Sequence, residues 1–388
     1  MKYLISGGGT GGHIFPAVSI ANALRELDPK ADILFVGALG RMEMERVPQA
    51  GYRIIGLPVR GFNRSKLWKN ISVVIDLLRS MRMAKKIIRE FRPDVGVGVG
   101  GYASGAAMKV AARMGIPILL QEQNGFAGVT NKLLKDDAAK ICVAYEGMER
   151  FFPKDKIILT GNPVRQNLTQ GSKEAALKYF EKEFGVQFDP KKPVLLVIGG
   201  SLGARTINEA MQQGLNNLIC SGIQVIWQTG KAYYDNIVKN MPATTEVYVI
   251  TPFLSNMPDT YALADLVVSR AGASSISELC LLGKPSVLVP SPNVAEDHQT
   301  HNAMALVKHN AAVLVRDVEA KDQLIPTVLN LIEDPKKLSS LHTNVLALAQ
   351  TDSANRIAEE VIRLAKSRKQ SNYRLRPRRS NHSPWRTT

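Results

Sequence analysis

Short runs of branched apolar residues alternate with longer amphipathic stretches along most of the chain. KYLIS, ILFVG, RIIGL, VGVGVG, IPILLQ, KICVA and KIILTG predict strands, and residues 14–27, 41–50, 68–91 and 103–114 carry apolar positions at helical spacing. Strand–helix alternation of this kind calls for a parallel sheet covered on both faces. After Arg165 a polar, charged stretch intervenes. The alternation then restarts with PVLLVIGG at 193–200 and continues through QVIWQTG, EVYVITPF, LADLVVS and PSVLVP. The pattern predicts an α/β chain of two doubly wound parallel-sheet domains. A boundary is expected near 163–168, where GNPVR supplies a glycine and a proline, giving domains 1–165 and 166–351. Residues 352–366 predict a final helix, and 367–388 a disordered basic tail.

In sheets of this type ligands bind beyond the carboxyl ends of the strands, and every glycine cluster of the chain falls at such an end. In RAGASSISELCLLG, residues 270–283, an apolar strand ends at Ser269 and a helix opens near Ser274. The amides of a helix start are unpaired and carry the positive end of the helix dipole, which suits a phosphate. Glu278, one turn inward on about the same face, is placed to accept hydrogen bonds from a ribose. A capped helix with an exposed glutamate is the plain alternative. GGSLGA at 199–204 offers a second phosphate cradle with the Ser201 hydroxyl.

GGGTGGH at 7–13 contains G-x-G-x-x-G as Gly7, Gly9 and Gly12, directly after a strand. A nicotinamide site would also want an acidic residue at the end of the second strand, where Gly37-Ala38-Leu39 stands. A flexible loop that lets a sugar or phosphate approach the backbone, with His13 at the mouth of the cleft, fits better. GGYASG at 100–105 repeats the device, with Gly100 and Gly101 followed by Tyr102 and Ser104 entering a helix. Close helix–sheet packing explains those glycines but not the tyrosine. QEQN at 121–124 places Glu122 and Asn124 in a loop at the same edge, and EDHQTHNA at 296–303 places His298, Gln299 and Asn302 ahead of a helix. Carboxamides suit sugar hydroxyls, though capping explains some of them equally.

Composition narrows the class. No apolar run approaches the roughly 20 residues that span a bilayer, and MKYLIS runs straight into glycines without the features of a signal peptide. Cys142, Cys220 and Cys280 lie far apart in apolar contexts, which predicts three buried thiols of a cytoplasmic protein. The net charge of +16 is uneven: residues 1–165 hold 25 Lys/Arg against 14 Asp/Glu, residues 166–366 hold 18 against 20, and the last 22 hold 7 against none. The basic first half is expected to meet an anionic surface. Residues 60–92 concentrate the charge, with ten Lys/Arg against Asp76 and Glu90, interleaved with Leu67, Trp68, Ile71, Val74, Ile75, Leu78 and Met81. Part of that set is core; Phe62, Leu67 and Trp68 precede the regular helix and predict an exposed patch ringed by cations, suited to anionic lipid. Nucleic acid is the competing partner, but no nucleic-acid module accompanies the charge. No D-x-D pair occurs, so a metal-bridged sugar nucleotide is not expected.

Taken together, GGGTGGHIFPA, GGYASGA, QEQN, TGNPVR, GGSLGA, WQTGK, RAGASSISEL and EDHQTHNA resemble the bacterial transferases that add N-acetylglucosamine to undecaprenyl-pyrophosphoryl-N-acetylmuramoyl-pentapeptide. The resemblance runs in consistent order from residue 2 to about 365. It implies a GT-B fold, two Rossmann-like doubly wound parallel-sheet domains facing across a cleft, whose last helix crosses back to the first domain. The activity it implies is inverting and metal-independent, at the cytoplasmic face of the cell membrane, with UDP-N-acetylglucosamine as donor and no cofactor. By the same resemblance the donor would contact Thr10, Gly11, Gly12, Asn124, Arg165, Ser201, Leu254, Ala273, Ser274, Ser275, Ile276, Ser277, Glu278 and Gln299. Leu254 stands where relatives usually carry isoleucine, and its contact would be through the backbone. The first domain would hold the acceptor, its pyrophosphate on the loops at 8–12 and 100–105 with Gly100, Gly101, Tyr102 and Ser104. His13 would be the catalytic base. Another transferase of the same fold, with a different acceptor, is the nearest alternative. The basic tail from 367 lies outside the resemblance.

Overall fold

The computed structural model describes residues 1–9, 11–60, 70–164, 166–200, 202–239, 241–294 and 297–374. The first half holds β1 (Lys2–Ser6), α1 (Gly11–Leu27), β2 (Asp32–Ala38), α2 (Glu43–Gln49), β3 (Arg53–Leu57), α3 (Asn70–Phe91) and β4 (Val95–Gly98), then α4 (Tyr102–Arg113), β5 (Ile118–Glu122), α5 (Val129–Leu134), β6 (Lys140–Val143) and β7 (Ile157–Leu159). The second half begins with α6 (Lys173–Phe184), β8 (Val194–Ile198), α7 (Arg205–Cys220), β9 (Gln224–Gln228), α8 (Lys231–Val238), β10 (Tyr248–Thr251) and α9 (Met257–Leu263). It continues with β11 (Leu266–Ser269), α10 (Ala273–Leu281), β12 (Ser286–Leu288), α11 (His298–Val307), β13 (Val313–Leu314), α12 (Ala320–Ile332), α13 (Pro335–Ala347) and α14 (Ser353–Arg374).

Two parallel sheets result, in the orders β3-β2-β1-β4-β5-β6-β7 and β10-β9-β8-β11-β12-β13. Each winds outward from its first strand, then crosses back and winds the other way. The reversals lie between β1 and β4, where Leu4 pairs with Leu34 on one side and Gly96 on the other, and between β8 and β11. In β1, alternation sends Leu4 into a core shared with α3 and α4, and Tyr3 and Ile5 into one shared with α1 and α14. Burial on both faces is why these strands read as unbroken apolar runs.

The last helix packs on the first half. Ile357, Ala358, Val361 and Ala365 form a buried stripe against Ile14, Ile20 and Leu24 of α1. Full burial of Ile357 and Val361 contributes about 1.5–3 kcal/mol each. The helix continues through Arg374 instead of ending at 366, which corrects the expected start of the tail. Arg368 donates to the Pro93 carbonyl and Lys369 pairs with Asp94 at 3.2 Å, holding the added turns against the sheet's lower edge. Residues 375–388 lie outside the described residues.

One further expectation changes. Cys142 and Cys280 are buried, and burial pushes each thiol up to about 12, but Cys220 is exposed. It ends α7 two residues past the buried Leu218, roughly 200° round the helix from it. On α3, Val73, Ala84, Ile87, Ile88 and Phe91 face the core, while Val74, Ile75 and Leu78 are 46%, 46% and 51% exposed among the basic residues. Phe62, Leu67 and Trp68 lie outside the described residues. Among the described residues, no helix is long and apolar enough to cross a membrane.

Candidate active site

The glycine junctions gather at the two points where strand order reverses, the crevices in which open α/β sheets bind ligands. At the first, β1 gives way to Gly7-Gly8-Gly9; Thr10 is outside the described residues, and α1 opens at Gly11. His13 therefore sits in the first turn of α1. Pro16, inside the helix, has no N–H to offer the carbonyl of Gly12. The His13 Nδ1 atom lies 3.1 Å from the Gly8 carbonyl oxygen. A carbonyl only accepts, so Nδ1 carries the proton, and in the neutral ring Nε2 holds the lone pair. Burial pulls the imidazole below its ordinary 6.5; the Gly8 bond opposes that, nearby His298 adds to it, and Glu43 opposes it.

The loop after β4 closes on the same place. Gly100 and Gly101 have φ of 97° and 90°; a Cβ on Gly100 would come within 2.8 Å of the His13 ring, and one on Gly101 within 2.5 Å of the Gly8 oxygen. Only glycine meets both the conformation and the space. Tyr102 opens α4 at the rim and is 55% exposed. Ser104 does not join it at the rim: expected on the acceptor side, it is fully buried, its hydroxyl beneath Gly98 and, among the described residues, without a hydrogen-bond partner.

Beneath the first loop lies a residue that sequence reasoning missed. Glu43, at the start of α2, is completely buried; its carboxylate accepts from the Gly9 amide at 2.9 Å and the Ala38 amide at 3.0 Å. In the sequence it looks like an acidic residue in the first turn of a helix. Glu122 is likewise buried, as the last residue of β5, and accepts from Gly128 N at 2.9 Å, Asn131 Nδ2 at 2.9 Å and Asn124 N at 3.1 Å. Burial pushes its pKa up against these bonds.

That loop reaches the second half. Asn124 Oδ1 accepts from Asn302 Nδ2 at 3.2 Å; the same Nδ2 donates to the Ala271 carbonyl at 3.1 Å, and Asn302 Oδ1 accepts from Gly125 N at 2.9 Å. Asn302 is fully buried, so the expectation that it meets a sugar hydroxyl is corrected: its amide joins the two halves. Asn162 makes a second tie, donating to the Gln123 carbonyl at 2.9 Å and to Ser277 Oγ at 3.1 Å.

At the second reversal β8 leads into Gly199-Gly200; Ser201 and Arg165 are outside the described residues. Gln228, at the end of β9, donates to the Gly200 carbonyl at 3.1 Å and accepts from Leu254 N at 2.9 Å. The Leu254 amide is thereby used, which leaves its carbonyl for any backbone contact. α10 opens at Ala273 behind Gly272, which brings no capping side chain, so the amides of Ala273, Ser274 and Ser275 open outward. Ile276 is core, and Ser277 donates to the Ala273 carbonyl at 3.0 Å while accepting from Asn162 of the first half. Glu278 Oε2 accepts from the Tyr261 hydroxyl at 3.1 Å, and Gln299 Oε1 accepts from Ser291 N at 2.9 Å. Arg270 fixes the loop through the Val289 and Pro290 carbonyls at 3.0 and 3.1 Å and through Asp317. The other face of α10 borders a cavity of about 480 Å³ between the halves, lined by Tyr145, Asn162, Ser277, Cys280, His301 and Lys308 among others.

The first reversal thus offers an imidazole between two glycine loops, and the second an uncapped helix start with a carboxylate one turn in. Residues 3–143 match the glycosyltransferase family 28 N-terminal domain and residues 194–361 the family 28 C-terminal domain. A UDP-N-acetylglucosamine–N-acetylmuramyl-(pentapeptide) pyrophosphoryl-undecaprenol N-acetylglucosamine transferase of Parabacteroides distasonis is 56% identical over 366 residues, 94% of this chain and 98% of its own length. The protein of that name in Bacteroides fragilis is 58% identical over 370 residues, 94% and 96% of the two chains. Among solved structures, Acinetobacter baumannii MurG superimposes with a TM-score of 0.75 at 23% identity, covering 93% of this chain and 99% of that one. The UDP-GlcNAc 2-epimerase of Neisseria meningitidis, solved with UDP-GlcNAc bound, gives 0.65 at 16% identity, covering 94% and 100%. These two show the shared fold. With both domain models matched in order and relatives identical at more than half of their positions over nearly their whole length, the chain belongs to glycosyltransferase family 28.

Proposed function

We propose that the chain transfers N-acetylglucosamine from UDP-N-acetylglucosamine to the 4-hydroxyl of the muramoyl sugar of undecaprenyl-pyrophosphoryl-N-acetylmuramoyl-pentapeptide, with inversion. The observation that carries this is the near-full-length likeness to transferases bearing that name, and the geometry of the two reversals fits it. The acceptor hydroxyl attacks the anomeric carbon in line with the departing UDP, through a transition state of oxocarbenium character. His13 takes the proton at Nε2. Its lowered pKa keeps it unprotonated at neutral pH, the state a base needs.

Negative charge grows on the departing diphosphate, and the outward amides of Ala273, Ser274 and Ser275 meet it where it develops, without a metal. Glu278 receives the ribose hydroxyls, and Leu254 and Arg165 flank the uracil. Thr10, Gly11, Gly12, Asn124, Ser201 and Gln299 complete the donor contacts. Because Glu43 occupies the Gly9 amide, the acceptor pyrophosphate falls to the starts of α1 and α4, at Gly11, Gly12, Gly101 and Tyr102. The functional domains are 1–165 for the acceptor and membrane side and 166–351 for the donor.

The enzyme works peripherally at the cytoplasmic face of the cell membrane, held by the outer face of α3. Val74, Ile75 and Leu78 insert there, and Arg79, Arg82 and Lys85 meet anionic lipid; nucleic acid is not a partner. Incubation with UDP-[14C]N-acetylglucosamine and the lipid-linked muramoyl-pentapeptide tests the reading. Labelled disaccharide lipid is expected. UDP binding without transfer to that acceptor would redirect the search to another acceptor.

A further inference from the structure

The Gly8 carbonyl that binds His13 and the Gly9 amide that binds Glu43 belong to one peptide group. Glu43 Oε2 lies 2.9 Å from Gly9 N, and Gly8 O lies 3.1 Å from His13 Nδ1. We propose that Glu43 is a positioning residue for His13, acting through this single peptide as carboxylate, amide and imidazole in series. The arrangement does what a carboxylate in direct contact with a catalytic histidine does, with one peptide interposed.

Several features converge on it. Glu43 Oε1 accepts from Ala38 N at 3.0 Å, so the carboxylate is tied to the end of β2 and cannot turn away from the loop. The side chain is completely buried among backbone groups, and a buried carboxylate is costly unless its hydrogen bonds are supplied. Two glycines make room for it: a Cβ on Gly8 would come within 2.1 Å of Glu43 Oε1, and one on Gly37 within 2.6 Å of its Cγ. Gly8 is not required for a left-handed backbone, so its missing side chain serves the carboxylate's passage. Accepting the amide proton polarises the peptide and strengthens the Gly8 carbonyl as an acceptor. That holds the proton on Nδ1 and the lone pair on Nε2. The charges facing His13 are Glu43 from α2, which favours the imidazolium, and His298 from α11, which disfavours it.

Glutamine at 43 keeps the shape but has one acceptor oxygen for two amides, and it removes the charge. The inference rests on the reading of His13 as base, and two measurements separate them. In the full chain, the His13 ring is titrated by NMR with labelled histidine, and kcat and KM are measured across pH. Glu43→Gln is expected to move the His13 midpoint to lower pH, to carry the acid limb of kcat/KM with it, and to lower kcat about 10- to 100-fold. KM for UDP-N-acetylglucosamine is expected to stay within about twofold. Gly8→Ala, which displaces the carboxylate without removing it, should repeat the shift. The double variant Gly8→Ala/Glu43→Ala should lose no more turnover than Glu43→Ala alone. An unmoved His13 midpoint in Glu43→Gln or Gly8→Ala, with the thermal midpoint and UDP affinity intact, overturns the inference. Full turnover in His13→Ala would instead overturn the base assignment, and the NMR shift would still decide whether Glu43 acts on the ring.

Discussion

The two strand reversals share a plan, strand then glycines then helix, but differ in what holds the loop. Among the described residues the buried carboxylates are Glu43, Asp76 and Glu122, all in the first half; Glu43 grips a loop amide at the first reversal, and Glu122 grips amides of the loop after β5 beside it. At the second reversal a neutral amide, Gln228, spans Gly200 and Leu254, and Arg270 anchors the loop from outside. A buried anion next to a histidine tunes proton affinity. The same anion beneath a diphosphate would repel it. The plan serves two chemistries because, among the described residues, a fully buried carboxylate is admitted on one side of the cleft only.

Removing the histidine tests this contrast most severely. His13→Ala should lower kcat by about two to four decades and leave UDP affinity unchanged by calorimetry, since the donor half does not depend on it. In the unaltered enzyme the acid limb of kcat/KM should lie below 6.5, because burial lowers the folded-state pKa of His13. The sign has a stability counterpart. A depressed imidazole contributes stability present above its unfolded value of about 6.5 and lost as pH falls through the folded value. Thermal midpoints measured downward from pH 7 should therefore fall less steeply in His13→Ala.

The halves are also tied, and the tie can be cut. Asn302→Ala leaves the Gly125 amide and the Ala271 carbonyl buried without their partner, at a cost of about 2–3 kcal/mol. Urea unfolding followed by tryptophan fluorescence would read the loss. An unchanged midpoint would mean that the Asn124–Asn302 contact is incidental to cleft geometry. A smaller effect is expected from making the second reversal resemble the first. Ser274→Asp brings a carboxylate to the uncapped start of α10 and should raise donor KM about tenfold, with kcat less affected. No change in KM would place the diphosphate elsewhere.

Much of this was legible in the sequence, and the gaps have physical causes. The strands announced themselves because parallel strands are buried on both faces, and the opening of α10 followed from a strand's end and a run of small residues. Tyr102 and Ser104 are both expected on the acceptor side, yet positions two apart on a helix lie roughly 200° round it from each other, so one of them turns inward. Glu43 was hidden for a different reason. It acts across the register of β1 and β2 on a loop 34 residues away, and no local pattern records which backbone a carboxylate will meet. β13, two residues long, is too short for alternation to show.

The mildest test concerns the outer surfaces of the halves. Residues 1–165 carry 25 basic against 14 acidic residues while residues 166–366 are nearly balanced, so a cation should matter on one outer face and not on the other. Arg82 on α3 lies one turn from the exposed Leu78 and is itself exposed. One basic residue near an anionic surface contributes about 1 kcal/mol, so Arg82→Ser should weaken binding to vesicles containing phosphatidylglycerol about fivefold in a flotation assay. Lys182, exposed on α6 of the second half, is the matched control, and Lys182→Ser should leave partitioning unchanged. Neither variant should alter transfer to a soluble acceptor analogue, because neither reaches the cleft. Raising salt should shrink the Arg82 effect, since exposed charges are screened within about 10 Å at 0.1 M. Equal losses from both variants would mean that net charge draws the protein to the membrane without orientation, and the outer face of α3 would then lose its special role.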